Sequence, residues 1–382
     1  MSIRCTLMAA LLSLAWPGLQ AGAAEAPPTS AGVRTEIAPQ AQGAPAWHRV
    51  ATDPYDLNNK QDALAFGSAT TGWYGNGTGR IYRTDDAGDH WRLVWRHPGT
   101  YVRALDFVDA DTGFMGNVGP GYFDDVSDAR PLFVTHDGGA HWTAVAPGNG
   151  VTVKGICAID VLKLEGAAAT IRAGGRVGGP AGLMTSRDGG ATWQGRDMGA
   201  LTGMILDIHF VDAATGFIAG ASQSDEGTAH ARILKTTDGG DTWRAVYDSA
   251  RAGDNNWKLS FPSARVGYAT IMSYAAPADE ARGYVVKTED GGEHWRKLVV
   301  TRDHGWIPYG IAFLDERRGW VGGATGGYET RDGGDTWHPA HMGLSTNKIR
   351  FVPRPGGGTR ALAIGHDLFA LDLPAEAQPH AP

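Results

Sequence analysis

Residues 236–243 read Thr-Thr-Asp-Gly-Gly-Asp-Thr-Trp, and this octet decides the fold because it recurs along the chain. Six copies share the pattern Ser/Thr-x-Asp-x-Gly-x-Thr/His-Trp, and their aspartates follow one another at intervals of 42 to 52 residues. Self-similarity with a period of about 40 to 50 residues is typical of repeat arrays and propellers. The repeated residues are Asp86, Asp137, Asp188, Asp238, Asp290 and Asp332, with Trp91, Trp142, Trp193, Trp243, Trp295 and Trp337.

A second repeated element precedes most of the octets. It consists of a strand end, a turn that contains glycine and an aromatic strand start, as in "FVDAATGFIAG" from Phe210. Together with the octet it divides one repeat into four short strands, "LDIHF", "GFIAG", "RILKTT" and "TWRAVY". Four short antiparallel strands per repeat predict a propeller blade.

The number of blades follows from both ends of the repeated region. Six octets predict six blades, and residues 347–373 add three strands that no octet follows. The segment "AWHRVA" at residues 46–51 matches the openings of the fourth strands, so we expect it to complete the last blade and close the ring. The prediction is an all-β, seven-bladed β-propeller at residues 46–373, with disordered flanks at residues 24–45 and 374–382.

The first 23 residues have the pattern of a secretory signal. One arginine precedes an apolar run from Leu7 to Trp16, and small residues follow it. The run is about half as long as a membrane-spanning helix requires. We therefore expect an exported protein, periplasmic or extracellular, that is soluble after cleavage and has no transmembrane segment.

Composition excludes several classes of function. The sequence has 34 basic and 41 acidic residues, without the basic stripe typical of nucleic-acid binding. Cleavage of the signal would leave Cys157 as the single cysteine, so a large core must stabilise the fold without an intramolecular disulfide. The acidic pairs lack a twelve-residue calcium loop, and no phosphate-binding loop is present. The sequence predicts no metal and no cofactor.

The octet itself is interpreted as a structural turn. Asp238 can accept hydrogen bonds from backbone N–H groups of the turn, Gly240 can adopt a positive φ, and Trp243 can bury a large face at the start of the next strand. Six near-identical copies argue against catalysis, because an active site needs different groups that converge on one point. In an antiparallel blade the octets share one face of the disc, so function is expected on the opposite face.

The opposite face contains the channel mouth, where the first strand of each blade begins. Alignment of the first strands places Asp62, Arg103, Gly155, Leu206, Trp257, Tyr309 and Asn347 around it, flanked by Lys154, Asn256, Lys258 and Trp306. Cationic and aromatic side chains in one mouth suit a peptide or an anionic partner. Each residue taken alone is as compatible with a solvated rim group or a packed aromatic. The loops of blades two and five add Tyr122, Phe123, Arg130 and Tyr274 as weaker candidates.

The octet resembles the Asp-box, or BNR repeat, of sialidases, xyloglucanase-like glycosidases, sortilin-type receptors and photosystem II assembly factors. The additional Phe-x-Asp-x-x-x-Gly-aromatic element is most similar to the Ycf48/HCF136 assembly-factor family, over residues 46–373. This resemblance implies a non-enzymatic scaffold that binds a protein partner, such as a membrane-protein precursor, on the lumenal or periplasmic side. Cys5 precedes the apolar run, which departs from the lipid-anchored cyanobacterial members.

The alternative is a glycoside hydrolase of the same repeat group, which would bind a glycan. A sialidase would have a Phe-Arg-Ile-Pro-like segment near the first blade, but "GRIYRTDD" at residues 79–86 leads directly into the first octet. The xyloglucanase-like enzymes join two propellers, and this chain is long enough for one. Paired carboxylates from different blades would still be compatible with this alternative.

Overall fold

The computed structural model describes residues 45–51, 60–146, 148, 151, 153–277 and 279–375, which form 28 β-strands and no helix. These strands form seven antiparallel four-stranded sheets, which confirms the predicted seven-bladed propeller. The expected signal (residues 1–23) and nearly all of both expected flanks lie outside the described residues. Within the described ranges, no helix is long and apolar enough to cross a membrane.

Blades one to three are consecutive along the chain. Blade one contains β2 (Gln61–Phe66), β3 (Gly72–Asn76), β4 (Arg80–Thr84) and β5 (Arg92–Arg96). Blade two contains β6 (Val102–Phe107), β7 (Gly113–Asn117), β8 (Leu132–Thr135) and β9 (Thr143–Ala144). Blade three contains β10 (Ala158–Leu162), β11 (Thr170–Gly175), β12 (Gly182–Ser186) and β13 (Gln194–Asp197).

The remaining blades follow the same order, except for the last. Blade four contains β14 (Met204–Phe210), β15 (Gly216–Ala221), β16 (Ala231–Thr236) and β17 (Arg244–Asp248). Blade five contains β18 (Asp254–Ser260), β19 (Gly267–Ser273), β20 (Gly283–Thr288) and β21 (Arg296–Leu298). Blade six contains β22 (Pro308–Phe313), β23 (Gly319–Gly323), β24 (Gly326–Thr330) and β25 (His338–Ala340). Blade seven contains β26 (Lys348–Pro353), β27 (Thr359–Ile364), β28 (Leu368–Leu373) and β1 (His48–Val50).

The first strands of the seven blades contact one another in a closed ring that ends with β26 against β2. They therefore line the central channel, and all of them run in the same direction. We call the end at which they begin the mouth. In blades one to six an octet follows the third strand, which is parallel to the first strand, so the octets lie at the opposite end of the channel.

The outer strand of blade seven comes from the other end of the described chain. His48, Arg49 and Val50 of β1 pair with residues 368–370 of β28. An ion-pair network then links this blade to blade one. Arg360 donates to Asp372 within blade seven at 2.7 Å and to Asp89 in the first octet at 2.5 Å.

Each of the six octets forms the same hydrogen-bonded turn. In the fourth octet, Asp238 accepts a hydrogen bond from the backbone N–H of Thr242 at 2.8 Å, and the hydroxyl of Thr236 donates to the same carboxylate at 2.7 Å. Gly240 has a φ of +100°, in the region that favours glycine. The indole N–H of Trp243 donates to the carbonyl of Gly240 at 3.1 Å. The turn thereby fixes the tryptophan at the start of the fourth strand.

The octet tryptophans pack on an aromatic residue of their own or a neighbouring blade. Trp243 lies edge-on to Phe210 with ring centroids 5.9 Å apart, beside Ile218 and Leu234 in a buried cluster. The turns also connect adjacent blades, since the indole N–H of Trp73 in blade one donates to the carbonyl of Gly138 in the second octet at 2.8 Å. The octet end of the propeller is therefore occupied by repeated structural contacts.

Candidate functional site at the channel mouth

A β-bulge interrupts the first strand of five blades at the same position near the mouth. In blades one, two, four and five, one residue of the first strand has no partner in the second strand. In blade six, two consecutive residues have none. The bulge residues are Asp62, Arg103, Leu206, Trp257 and Tyr309. Bulges redirect side chains and recur beside functional sites. These five residues are those that the alignment of first strands had placed at the mouth.

Blades three and seven have equivalent residues without a skipped pair inside the strand. The backbone N–H of Asn347 donates to Ile364, the residue that its neighbour Lys348 pairs with. The N–H of Cys157 donates in the same way to Gly174, the partner of Ala158. Two residues of the first strand thus oppose one of the second, as at the other five positions.

The expected residue in blade three was wrong by two positions. Ser186 of the octet pairs with Ile171, and Ile171 pairs with Val161 of the first strand. Val161 is therefore the equivalent of the aromatic residues on which the first strands of the other blades were aligned. The residue four positions earlier is therefore Cys157 rather than Gly155. Cys157 is fully buried, and its sulfur accepts a hydrogen bond from the backbone N–H of Val177. Blade three has no aromatic at the aligned position, which removed the signal that located the other blades.

Arg103 and Trp257 meet across the channel. They belong to blades two and five, which are not adjacent, and the guanidinium carbon lies 5.6 Å from the centroid of the indole ring. This separation is within the range of a cation–π contact. A contact between two blades that do not touch through their sheets places both side chains in the channel itself.

Asp62 is the anionic centre of the mouth. Its carboxylate lies 3.4 Å from Arg103 and 3.2 Å from Lys60, and it accepts a hydrogen bond from the hydroxyl of Tyr101. Burial would raise the pKa of Asp62, but the charges of Arg103 and Lys60 outweigh it and lower the pKa to about 2. Lys60 also lies 5.5 Å from the ring of Tyr309, which connects blade one to blade six.

Several polar groups of blade five, which places Trp257 opposite Arg103, are buried without a hydrogen-bond partner among the described residues. They are the indole N–H of Trp257, both amide atoms of Asn256 and the hydroxyl of Tyr274. Buried polar groups are normally paired, and those that are not mark a place where water or a ligand supplies the partner. The mouth thus presents hydrogen-bond donors beside a guanidinium.

A segment of blade two covers part of the mouth, and we call residues 118–126 the lid segment. The guanidinium of Arg176 donates to the carbonyls of Val118, Gly119 and Pro120 at 2.8 to 3.3 Å. Phe123 stacks on the ring of Tyr101 with centroids 4.7 Å apart. Because the hydroxyl of Tyr101 donates to Asp62, the lid segment rests directly on the charged centre of the mouth.

The lid segment also reaches blade four. The hydroxyl of Tyr122 donates to the carboxylate of Glu226 at 2.5 Å, and the side chain of Asn255 in blade five donates to the backbone carbonyl of Glu226 at 2.9 Å. Burial raises the pKa of Glu226, although the hydrogen bond from Tyr122 opposes this. Loops of blades two and four therefore meet over the mouth beside the first strand of blade five.

Deeper in the channel, the charged side chains belong to blades two to five and seven. Lys258 donates to the carbonyl of Leu206 at 3.1 Å and lies 3.6 Å from Asp207. Asp106 accepts from the backbone N–H of Val161, and burial raises its pKa. Burial and the neighbouring Asp106 raise the pKa of Asp160 to about 7. Lys258 thus belongs to the channel wall, below the mouth at which the sequence placed it.

Two other expected mouth residues make structural contacts within the propeller. Trp306 is buried, donates to the carbonyl of Gly326 at 3.3 Å and packs against Tyr328. Asn347 donates to the carbonyl of Gln61 at 2.8 Å and so joins blade seven to blade one. Both side chains therefore contribute to the packing of the propeller, and their contact with a partner stays a prediction.

Lys154 precedes the first strand of blade three, and Arg130 lies in the loop before β8 of blade two. Both line a cavity of about 450 Å³ formed by residues of blades two and three. Arg130 is ion-paired with Asp128 and covers the ring of Phe133. The predicted residues that lie at the mouth are Asp62, Arg103, Trp257 and Tyr309, with Asn256 next to Trp257. Four further residues lie there without a signal in the sequence: Lys60, Tyr101, Cys157 and Glu226.

No group of three or more His, Cys, Asp or Glu side chains in the described part of the chain could hold a metal ion. Fold and mouth together define a class: a propeller whose repeated face is structural and whose opposite face has a charged, aromatic and partly covered channel.

Comparison with known proteins extends this class. The sequence is 27% identical over 297 residues to the photosystem II assembly lipoprotein Ycf48 of Synechococcus sp. (strain CC9902), which covers 66% of this chain and 80% of the relative. No protein-family model matches the sequence. A solved structure of YCF48 bound to a D1 peptide superposes with a TM-score of 0.60 at 16% identity, over 87% of this chain and 97% of that chain.

Two further solved structures share the fold. YCF48 from Cyanidioschyzon merolae has a TM-score of 0.61 at 16% identity, over 85% of this chain and 98% of that chain. The GH74 enzyme of Niastella koreensis has a TM-score of 0.56 at 20% identity, and the match covers 84% of this chain but 53% of the enzyme. The chain is a Ycf48-like β-propeller in sequence and fold.

Proposed function

We propose that the protein is an exported, non-enzymatic assembly factor that binds a peptide segment of a membrane-protein intermediate at the channel mouth. Its similarity to Ycf48 supports an assembly role, and one structurally similar YCF48 has been solved with a D1 peptide. The observation that carries the proposal for this chain is the pairing of Arg103 with Trp257 across the channel, beside buried donors without partners.

The chemistry of the mouth suits a peptide with an acidic or carbonyl-rich segment. Arg103, the indole N–H of Trp257 and the hydroxyl of Tyr274 are donors, and the donors in a buried site are strengthened by the absence of water. Arg103 and Trp257 are 4% and 6% exposed, so a partner reaches them only through the mouth. Binding therefore requires the lid segment to move or to become part of the contact.

The alternative of a glycoside hydrolase has one observation in its favour. The mouth contains two carboxylates whose pKa values shift in opposite directions, lowered for Asp62 and raised for Glu226, as acid and base partners often do. However, the side chain of Asp62 is fully buried and engaged by Lys60, Arg103 and Tyr101. A carboxylate in this position is not accessible to a sugar ring, which favours the scaffold.

The experiment that tests the scaffold is site-specific photocrosslinking in the source cells. A photoreactive phenylalanine analogue replaces Tyr309 at the mouth, and a control protein has the same analogue at Asp335, exposed in the sixth octet. Membrane-protein precursors crosslinked from position 309 but not from position 335 would support the proposal. Equal crosslinking from both faces, or hydrolysis of xyloglucan, β-glucan or a sialyl substrate by the purified protein, would refute it.

A further inference from the structure

Lys348 is a buried lysine of the channel for which the described residues provide no hydrogen bond or ion pair. It follows Asn347 at the beginning of β26, and it is 5% exposed. Lysine is rarely buried to this extent unless an acceptor compensates its charge. The other buried lysine of the channel, Lys258, has both a carbonyl and a carboxylate within reach.

The surroundings of Lys348 are more cationic than anionic. Lys258, Asp207 and Arg103 are close enough to act on its charge, and Arg350 follows it on the same strand. These residues come from blades five, four, two and seven, so the ammonium group lies within the channel rather than in a blade core. Two carboxylates, Asp207 and Asp106, are close enough to interact with this group of cations, and Asp207 already lies 3.6 Å from Lys258.

The carboxylates on the mouth side and on the octet side of Lys348 do not compensate the excess of positive charge around it. Toward the mouth, Asp62 is shared between Lys60 and Arg103. Toward the octet end, Asp106 accepts from the backbone N–H groups of Val161 and Phe107. Below it, the carboxylate of Asp160 accepts from the N–H of Phe210 and lies 3.7 Å from Arg172. Each carboxylate of the described channel thus already has a partner other than Lys348.

We propose that this level of the channel binds a small oxyanion of the size of phosphate, with Lys348 as its principal cationic contact. A bound dianion would compensate the unpaired ammonium group and share the charges of Lys258 and Arg103. Lys348 lies below the bulge residues, so this site adjoins the mouth proposed for the peptide and shares Arg103 with it. Burial and the adjacent cations lower the pKa of Lys348 well below its ordinary value, and an anion would reverse this effect.

The first test measures binding of inorganic phosphate to the purified chain by isothermal titration calorimetry, with sodium chloride at equal ionic strength as the reference. We expect saturable binding by the unaltered protein and at least a tenfold loss of affinity in Lys348→Met. The melting temperature should rise by roughly 2 °C per tenfold increase of phosphate above its dissociation constant. Lys163→Met, at an exposed lysine after β10, should leave both values unchanged.

A second measurement uses the unaltered protein, in case Lys348→Met does not fold. Phosphate should protect Lys348, but not Lys163, from acetylation by an N-hydroxysuccinimide ester, as read by peptide mass spectrometry. Absence of phosphate binding, equal binding by Lys348→Met, or acetylation of Lys348 that phosphate does not slow would each overturn the proposal.

Discussion

Trp257 faces Arg103 across the channel at 5.6 Å, although their blades are separated by two others on the ring. Both residues are bulge residues of their first strands, and the bulge directs each side chain away from the blade interior. The contact leaves the indole N–H without a hydrogen-bond partner among the described residues. The pair thus offers a stacked cation and a free donor to whatever enters the mouth.

Replacement of Trp257 by phenylalanine tests whether a bound peptide uses the indole N–H. The variant keeps an aromatic ring beside Arg103 but removes the N–H donor and part of the contact area. We expect the affinity for the peptide captured from position 309 to fall about tenfold, or about 1.4 kcal/mol. Fluorescence anisotropy with a labelled synthetic peptide measures it. Trp306→Phe is the matched control, because Trp306 packs against Tyr328 in another part of the fold; an equal loss in both variants would contradict the assignment.

Removal of the carboxylate of Asp62 should destabilise the propeller. Asp62→Asn leaves Lys60 and Arg103 buried without their shared anion, and loss of one partner of a buried ion pair costs about 3–5 kcal/mol. Chemical denaturation measures the free energy of unfolding. Asp335→Asn, at an exposed octet position, should cost less than about 0.5 kcal/mol.

The same carboxylate makes stability depend on pH at the acid end. The pKa of Asp62 is about 2 in the folded state and about 3.9 when unfolded, so its contribution is present above pH 4 and is lost as the pH falls through 2. Melting temperatures measured from pH 6 to pH 2 should fall less steeply in Asp62→Asn than in the unaltered protein. Parallel profiles would show that folding does not lower the pKa of Asp62.

How far the sequence predicts this molecule depends on the type of contact. The octets predict the blades because each turn is local: Thr236, Asp238 and Trp243 make their hydrogen bonds within eight residues. The mouth residues were predicted by counting along equivalent strands, which places Arg103 and Trp257 at positions where the structure has bulges. It fails in blade three, where Val161 replaces the aromatic residue that defines the position.

Contacts between distant segments are not predictable in the same way. The sequence does not indicate that Trp306 packs against Tyr328, since an aromatic before a first strand is equally compatible with a binding residue. It also does not indicate that the lid segment reaches Glu226, because that contact depends on the path of a loop of blade two toward blade four. The positions of the bulges are likewise not predictable, because the sequence pattern shows only the alternation of residue types.

Removal of an octet tryptophan should affect stability and not partner binding. Trp243→Ala leaves a cavity beside Phe210 and Ile218, and such truncations cost about 3–5 kcal/mol. Trp243→Phe should cost less, because a ring still fills part of the space. Peptide affinity measured well below the melting temperature should stay unchanged in both variants. A loss of affinity without a loss of stability would contradict the structural role of the octet.

Loss of the hydroxyl of Tyr122 should loosen the lid segment. Tyr122→Phe removes the hydrogen bond to Glu226 and leaves a partly buried carboxylate without that donor, while the contacts of Phe123 and Arg176 remain. We expect faster amide hydrogen exchange at residues 118–126, with the melting temperature lowered by at most a few degrees. Peptide association should also be faster, because less free energy is needed to open the mouth.

Tyr328→Phe is the control, because it removes a comparable hydroxyl contact, with Thr301, far from the lid segment. This variant should leave the hydrogen exchange of the lid segment unchanged. Unaltered exchange in Tyr122→Phe would show that Arg176 and Phe123 are sufficient to hold the segment closed.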